Sequence, residues 1–173
     1  MNIFLDIDDV IFNWHDAYAK RFDTNIPKSF LSSNLMKKRL EVLSKEKNFW
    51  LNLPIKNVPN FQPSGYVSAR GIPKSWTIES LKINNIPGRS NVNQVHWGQS
   101  KLQLLKELKC DIFIDDKVET FRELNKNGIF CLLMDAYHNQ NVKTKYRIYN
   151  LDINNIYKIL ENNANYRNYS RKY

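Results

Sequence analysis

Short apolar runs alternate along this chain with stretches in which apolar side chains recur every three or four positions. The first run, NIFLDI at 2–7, is mostly apolar and bounded by acids, which predicts a short buried strand. In WHDAYAKRFD at 14–23, Trp14, Tyr18 and Phe22 are spaced by four, as on one face of a helix. Beyond a polar stretch, SSNLMKKRLEVLSKEKNFW carries Leu35, Leu40 and Leu43 on a second helical face, with Ser32 or Ser33 as N-cap. The following LPIKNVPNFQPSG is broken by prolines and reads as loop.

From residue 65 the texture changes. GYVSARG reads as a strand entering a turn, KSWTIESLKINN as a helix and NVNQVHW as a weak strand. GQSKLQLLKELK places Leu102, Leu105 and Leu108 on one helical side, and CDIFIDD is again a strand. KVETFRELNKNG is a helix stopped by Gly128, and IFCLLMD a further strand. Strands alternating with helices of about a dozen residues predict an α/β protein with a mainly parallel sheet. Right-handed crossovers then put helices on both faces. The region from about 15 to 60 interrupts this rhythm and reads as a helical insertion. The tyrosine-rich basic tail NNANYRNYSRKY reads as a loosely ordered end, and no internal repeat is visible.

Composition narrows the class. A chain of 173 residues with 42% hydrophobic and 13% aromatic content can build one core without disulfide staples. Cys110 and Cys131 both lie in apolar company, as expected of core residues in a reducing compartment. The acids in MNIFLDIDDV interrupt what a secretory leader would need, and no apolar run nears the roughly 20 residues that span a bilayer. A cytoplasmic protein with no membrane partner is the expectation. The 26 Lys and Arg against 17 Asp and Glu leave a formal charge of +9, which favours anionic partners without choosing among nucleotide, nucleic acid and mere solubility.

The candidate chemistry begins where the first apolar run meets Asp6, Asp8 and Asp9. Three carboxylates within four positions repel one another, and burying them unpaired is costly. A later strand also ends in adjacent acids, Asp115 and Asp116. Open α/β sheets bind ligands outside the carboxyl ends of their strands, so the two acid clusters can share one pocket. Oxygen donors with no nearby His or Cys set favour a hard divalent ion, Mg²⁺ before Zn²⁺.

DIDDV after the first strand resembles motif I, DxDx[TV], of the haloacid dehalogenase (HAD) superfamily of phosphohydrolases. The resemblance continues in order through Ser68 of YVSAR, Lys101 of GQSKLQ and the acid pair of CDIFIDD, and spans roughly residues 2–135. It implies a three-layer Rossmann-like core formed by 1–14 and 63–173, with a small helical C1 cap over 15–62. Asp6 would be the nucleophile that forms an aspartyl-phosphate. Asp8 would be the general acid and base, its main-chain carbonyl ligating Mg²⁺. Asp116, with Asp115 beside it, would complete the metal ligands, in an order the sequence leaves open. Ser68 and Lys101 would hold phosphoryl oxygens, and Lys101 would also restrain Asp6. Arg70 can be read as reaching substrate phosphate or as a surface ion pair, and Asp9 as an exposed loop or helix-cap acid.

Substrate choice rests on a narrower likeness. NFWLNLPIKNVPNF resembles a stretch of the 5'(3')-deoxyribonucleotidase family, though it is shorter and lacks the alanine-rich helix expected there. Phe49 and Trp50 could stack on a base, or could simply pack the cap on the core. GIFCLLMDAYHNQ resembles the same family and leads to a loop with Tyr137, His138 and Asn139, where His138 reads as structural or exposed rather than catalytic. The expected function is Mg²⁺-dependent phosphomonoester hydrolysis, with a 5'-(deoxy)nucleotide as substrate. Two alternatives stand beside it: a phosphatase acting on 3'-phosphate ends of nucleic acid, and a non-catalytic nucleic-acid-binding module.

Overall fold

Neighbouring residues of each strand point to opposite faces of a sheet, and here both faces carry apolar side chains. In β1 (Ile3–Leu5), Ile3 and Leu5 join one hydrophobic cluster while Phe4 joins another. The same division separates Ile112 and Ile114 from Phe113 in β4 (Ile112–Asp115). In β5 (Phe130–Met134) it separates Leu132 and Met134 from Cys131 and Leu133. Continuous apolar runs of this kind belong to parallel strands covered on both sides. The structure, a computed structural model, describes residues 1–25 and 34–162.

With β2 (Gly65–Ser68), β3 (Val92–Gln94) and β6 (Arg147–Ile148), these strands form a six-stranded sheet in the order β3-β2-β1-β4-β5-β6. Every pairing is parallel. One face is covered by α4 (Lys74–Ile83) and α7 (Ile153–Glu161), through Leu81, Ile156 and Leu160. The other is covered by α5 (Leu102–Glu107) and α6 (Val118–Lys126), through Leu105, Phe121 and Leu124. The fold is therefore a three-layer, Rossmann-like α/β sandwich. Gly128, in the left-handed region at φ 85°, follows the last turn of α6 and lets the chain reverse into β5.

Between β1 and β2 lie α1 (Trp14–Arg21), α2 (Asn34–Leu43) and α3 (Lys47–Leu51). Trp14, Tyr18, Met36, Leu40, Leu43 and Trp50 belong to the same hydrophobic cluster as one sheet face. The single helix expected over the second half of this region is broken at Ser44–Glu46, where no glycine or proline announces the break. The proposed Ser32 or Ser33 cap and nearly all of the basic tail lie outside the described residues. β6 and α7 were not anticipated. α7 is capped by Asp152, whose side chain accepts from Asn154 N at 2.9 Å. Among the described residues no helix is long and apolar enough to cross a membrane.

Candidate active site

The strand order reverses between β1 and β4, so adjacent strands there send their connections to opposite sides and leave a crevice at their carboxyl ends. Asp6 follows β1 directly, its N–H still bonded to Ile114 O at 2.8 Å, and Asp115 and Asp116 end and follow β4. All three are buried, and one carboxylate oxygen from each lies within 4.8 Å of the others. Lys101, at the start of α5, sits between two of them, its Nζ 2.7 Å from Asp6 and 2.8 Å from Asp115. The other Asp115 oxygen accepts from Lys117 N at 2.7 Å.

Burial drives the Asp6 carboxyl well above its ordinary range; Lys101 opposes this, while Asp115, Asp116 and Asp8 reinforce it. Burial also raises Asp115 against the pull of Lys101. For Lys101 burial disfavours the charge, but the two carboxylates outweigh it and its pKa is raised. Lys101 pairs with two of the three buried carboxylates, and Asp116 is met by His138 instead. The all-oxygen set of Asp6, Asp115 and Asp116 has the chemistry to hold a hard divalent cation. Beside it, Ser68 closes β2 with a buried hydroxyl that has no hydrogen-bond partner among the described residues. An orphaned donor at a strand's carboxyl end is what a ligand oxygen would satisfy.

Asp8 is held differently. Arg70, with no exposed side-chain surface, grips its carboxylate through Nε and Nη2 at 2.6–3.2 Å. The ion pair is a buried one and not the surface pair that the sequence allowed. Arg70 lies 5.1 Å over the Trp50 ring and 5.9 Å over Phe12. Trp50 itself is buried, donates its indole N–H to Leu43 O at 2.7 Å and faces Trp14. Phe49 meets Trp50 edge-on and is partly buried.

Two histidines join the site that sequence reasoning did not place there. His138, expected to be structural or exposed, has Nε2 2.9 Å from an Asp116 carboxylate oxygen. Burial disfavours its charge, but the contacts with Asp116, and Asp9 beyond, raise its pKa overall. Arg147 holds its loop by donating to Asp135, Asn139 and Val142. Asp9 corrects another expectation. It accepts from His15 N in the first turn of α1, as a helix-cap acid does, but it is only 3% exposed and binds His15 Nδ1 as well. Its φ of 55° turns the chain at that point. Lys56 clasps the loops by donating to Asp9 O and Asp135 O, both at 2.8 Å.

A groove of about 700 Å³ opens from Arg70 past Ile72, Gln94 and His96 to Gln99, Ser100 and α5, and neither Phe49 nor Trp50 lines it. No protein-family model matches the chain. No curated protein matches it. Among solved structures it is similar to the UTR4 protein (Unknown transcript 4 protein) of Saccharomyces cerevisiae, at 12% identity over 86% of this chain and 96% of that one, with a TM-score of 0.40. A likeness of that degree carries no argument about family or activity. What fold and site define together is a Rossmann-like α/β protein with a buried acidic crevice at its switch point.

Proposed function

We propose that this protein is a Mg²⁺-dependent phosphomonoester hydrolase of the haloacid dehalogenase type, acting through an aspartyl-phosphate. The observation that carries the reading is the Asp6–Lys101–Asp115 ladder with Asp116 beside it, at the carboxyl ends of β1 and β4. Asp6 is the nucleophile, held by Lys101, and its oxygen bonds to phosphorus as the ester P–O bond breaks. Asp8 gives its proton to the leaving oxygen and then takes one from the water that cleaves the acyl phosphate. Ser68 and Lys101 hold phosphoryl oxygens. Mg²⁺, bound by Asp6, Asp116 and the Asp8 main-chain carbonyl, would supply positive charge opposite those oxygens.

In this reading the grip of Arg70 on Asp8 acts as a latch. An arriving phosphate competes for the same guanidinium fork, so substrate binding and release of Asp8 become one event. Helices α1–α3 serve as the cap, and a nucleotide is the leading substrate class. The groove walled by Gln94, His96, Gln99 and Gln103 offers polar contacts to the rest of the substrate. The charge of +9 keeps a second reading in play, in which the phosphate sits at the 3' end of a nucleic acid strand.

The test is phosphate release, with and without Mg²⁺, from 5'- and 3'-deoxynucleotides, ribonucleotides, sugar phosphates and a 3'-phosphorylated oligonucleotide. Asp6→Asn should abolish turnover, and Asp116→Asn should weaken the response to Mg²⁺. Near-normal turnover by folded Asp6→Asn would end the nucleophile assignment.

A further inference from the structure

The hydrolase reading uses Asp116 but neither of the two histidines gathered around it at the edge of the same crevice. His15 comes from the first turn of α1, Asp116 from the end of β4 and His138 from the turn after β5. One donor atom from each lies within 4.8 Å of the others. The two imidazoles are stacked, their centroids 4.4 Å apart and their planes at 21°. Both are largely buried, each with 12% of its side chain exposed.

The supports of these groups resemble those of metal ligands. Asp9 binds His15 Nδ1, and a carboxylate held on one imidazole nitrogen fixes the ring and makes the other nitrogen the ligand atom. Asn139 donates to Asp116 O at 2.7 Å and to Met134 O at 2.8 Å, tying the end of β4 to the loop that carries His138.

We propose that His15, Asp116 and His138 form a second metal site that takes a borderline transition-metal ion, zinc or cobalt rather than magnesium, and shares Asp116 with the carboxylate cluster. Imidazole nitrogen suits such ions, whereas Mg²⁺ keeps to oxygen ligands and gives up its water reluctantly. Two histidines and one carboxylate are a common ligand set for zinc with an open fourth position. Occupancy draws on Asp116, so zinc taken up here competes with the hard cation for that carboxylate. The site stands on side-chain geometry alone and does not depend on the hydrolase reading.

The full chain, stripped with EDTA and dialysed into millimolar Mg²⁺, is titrated with Co²⁺ and followed by visible d–d absorption. One equivalent of Co²⁺ should bind despite the Mg²⁺ and be displaced by Zn²⁺. His15→Gln and His138→Gln should each abolish the bands, and Asp9→Asn should weaken binding by about 10–100-fold. His96→Gln and Asp6→Asn should leave the equivalent in place. Absence of the bands in the wild-type protein overturns the site and requires no variant. Bands that survive His138→Gln also overturn it, as do bands lost in Asp6→Asn but kept in the histidine variants, which would put the ion among the carboxylates. A protein that releases phosphate with Mg²⁺ yet takes up no Co²⁺ refutes this site and leaves the hydrolase reading standing.

Discussion

Arg70 and Asp8 are bound to each other but not equally placed. The arginine side chain has no exposed surface, while 24% of the aspartate's remains in contact with solvent. Deleting one partner of a buried pair strands the other, at about 3–5 kcal/mol. Asp8→Ala should therefore cost about 3 kcal/mol, because it leaves a buried guanidinium alone. Arg70→Met should cost less, since Asp8 can turn to water. Urea unfolding of the two variants would show this order, and equal losses would mean the pair is solvated. At this scale the sequence exposed Asp6, Ser68, Lys101 and the Asp115–Asp116 pair through their positions beside apolar runs. It hid His15 and His138. The link from Asp9 to His15 crosses a left-handed turn, and His138 lies 22 residues beyond Asp116, so neither contact follows any local spacing.

Among the elements, α3 shows how an aromatic near a site can act through packing. The Trp50 indole is buried against Trp14, bonded to Leu43 O and stacked under Arg70. Trp50→Ala should cost about 3–5 kcal/mol of stability. It should also depress hydrolysis of nucleotides and of p-nitrophenyl phosphate alike, because it loosens Arg70 and makes no base contact. Steady-state kinetics on both substrates decides this, and a KM increase confined to nucleotides would restore a stacking role. β1, β2, β4 and β5 were legible because continuous apolar runs bounded by turns leave little choice. α7 was not, although Ile153, Ile156 and Leu160 have helical spacing. Its asparagines give it the composition of a polar tail. β6 spans only two residues, too few for any periodicity to show.

Across the molecule, a basic chain encloses an acidic crevice. Raised pKa values at Asp6 and Asp115 mean that these groups support the metal-free fold below the usual carboxylate value of 3.8. That support is lost as pH climbs through the raised values. A bound divalent cation needs the ionised forms, so its stabilisation must grow over the same interval. At a hundredfold excess over its Kd, Mg²⁺ should add about 2.7 kcal/mol near neutral pH. That would raise Tm by roughly 5–10 °C for a chain of this length. Near pH 4 the effect should almost vanish. Thermal unfolding across pH, with Mg²⁺ and with EDTA, tests this, and a Mg²⁺ effect independent of pH would mean that the ion binds elsewhere. The parallel α/β class followed from the alternation of runs and amphipathic stretches; the two-sided core needed the registered strands. That core has a consequence for how the chain can change. Leu81 and Leu105 lie on opposite sides of one sheet, in separate clusters that both touch Tyr146 at their margin. Substitutions on one side that do not touch Tyr146 should therefore add to those on the other. Lineages of this protein can then drift in one half of the interior while the other keeps its ancestral packing.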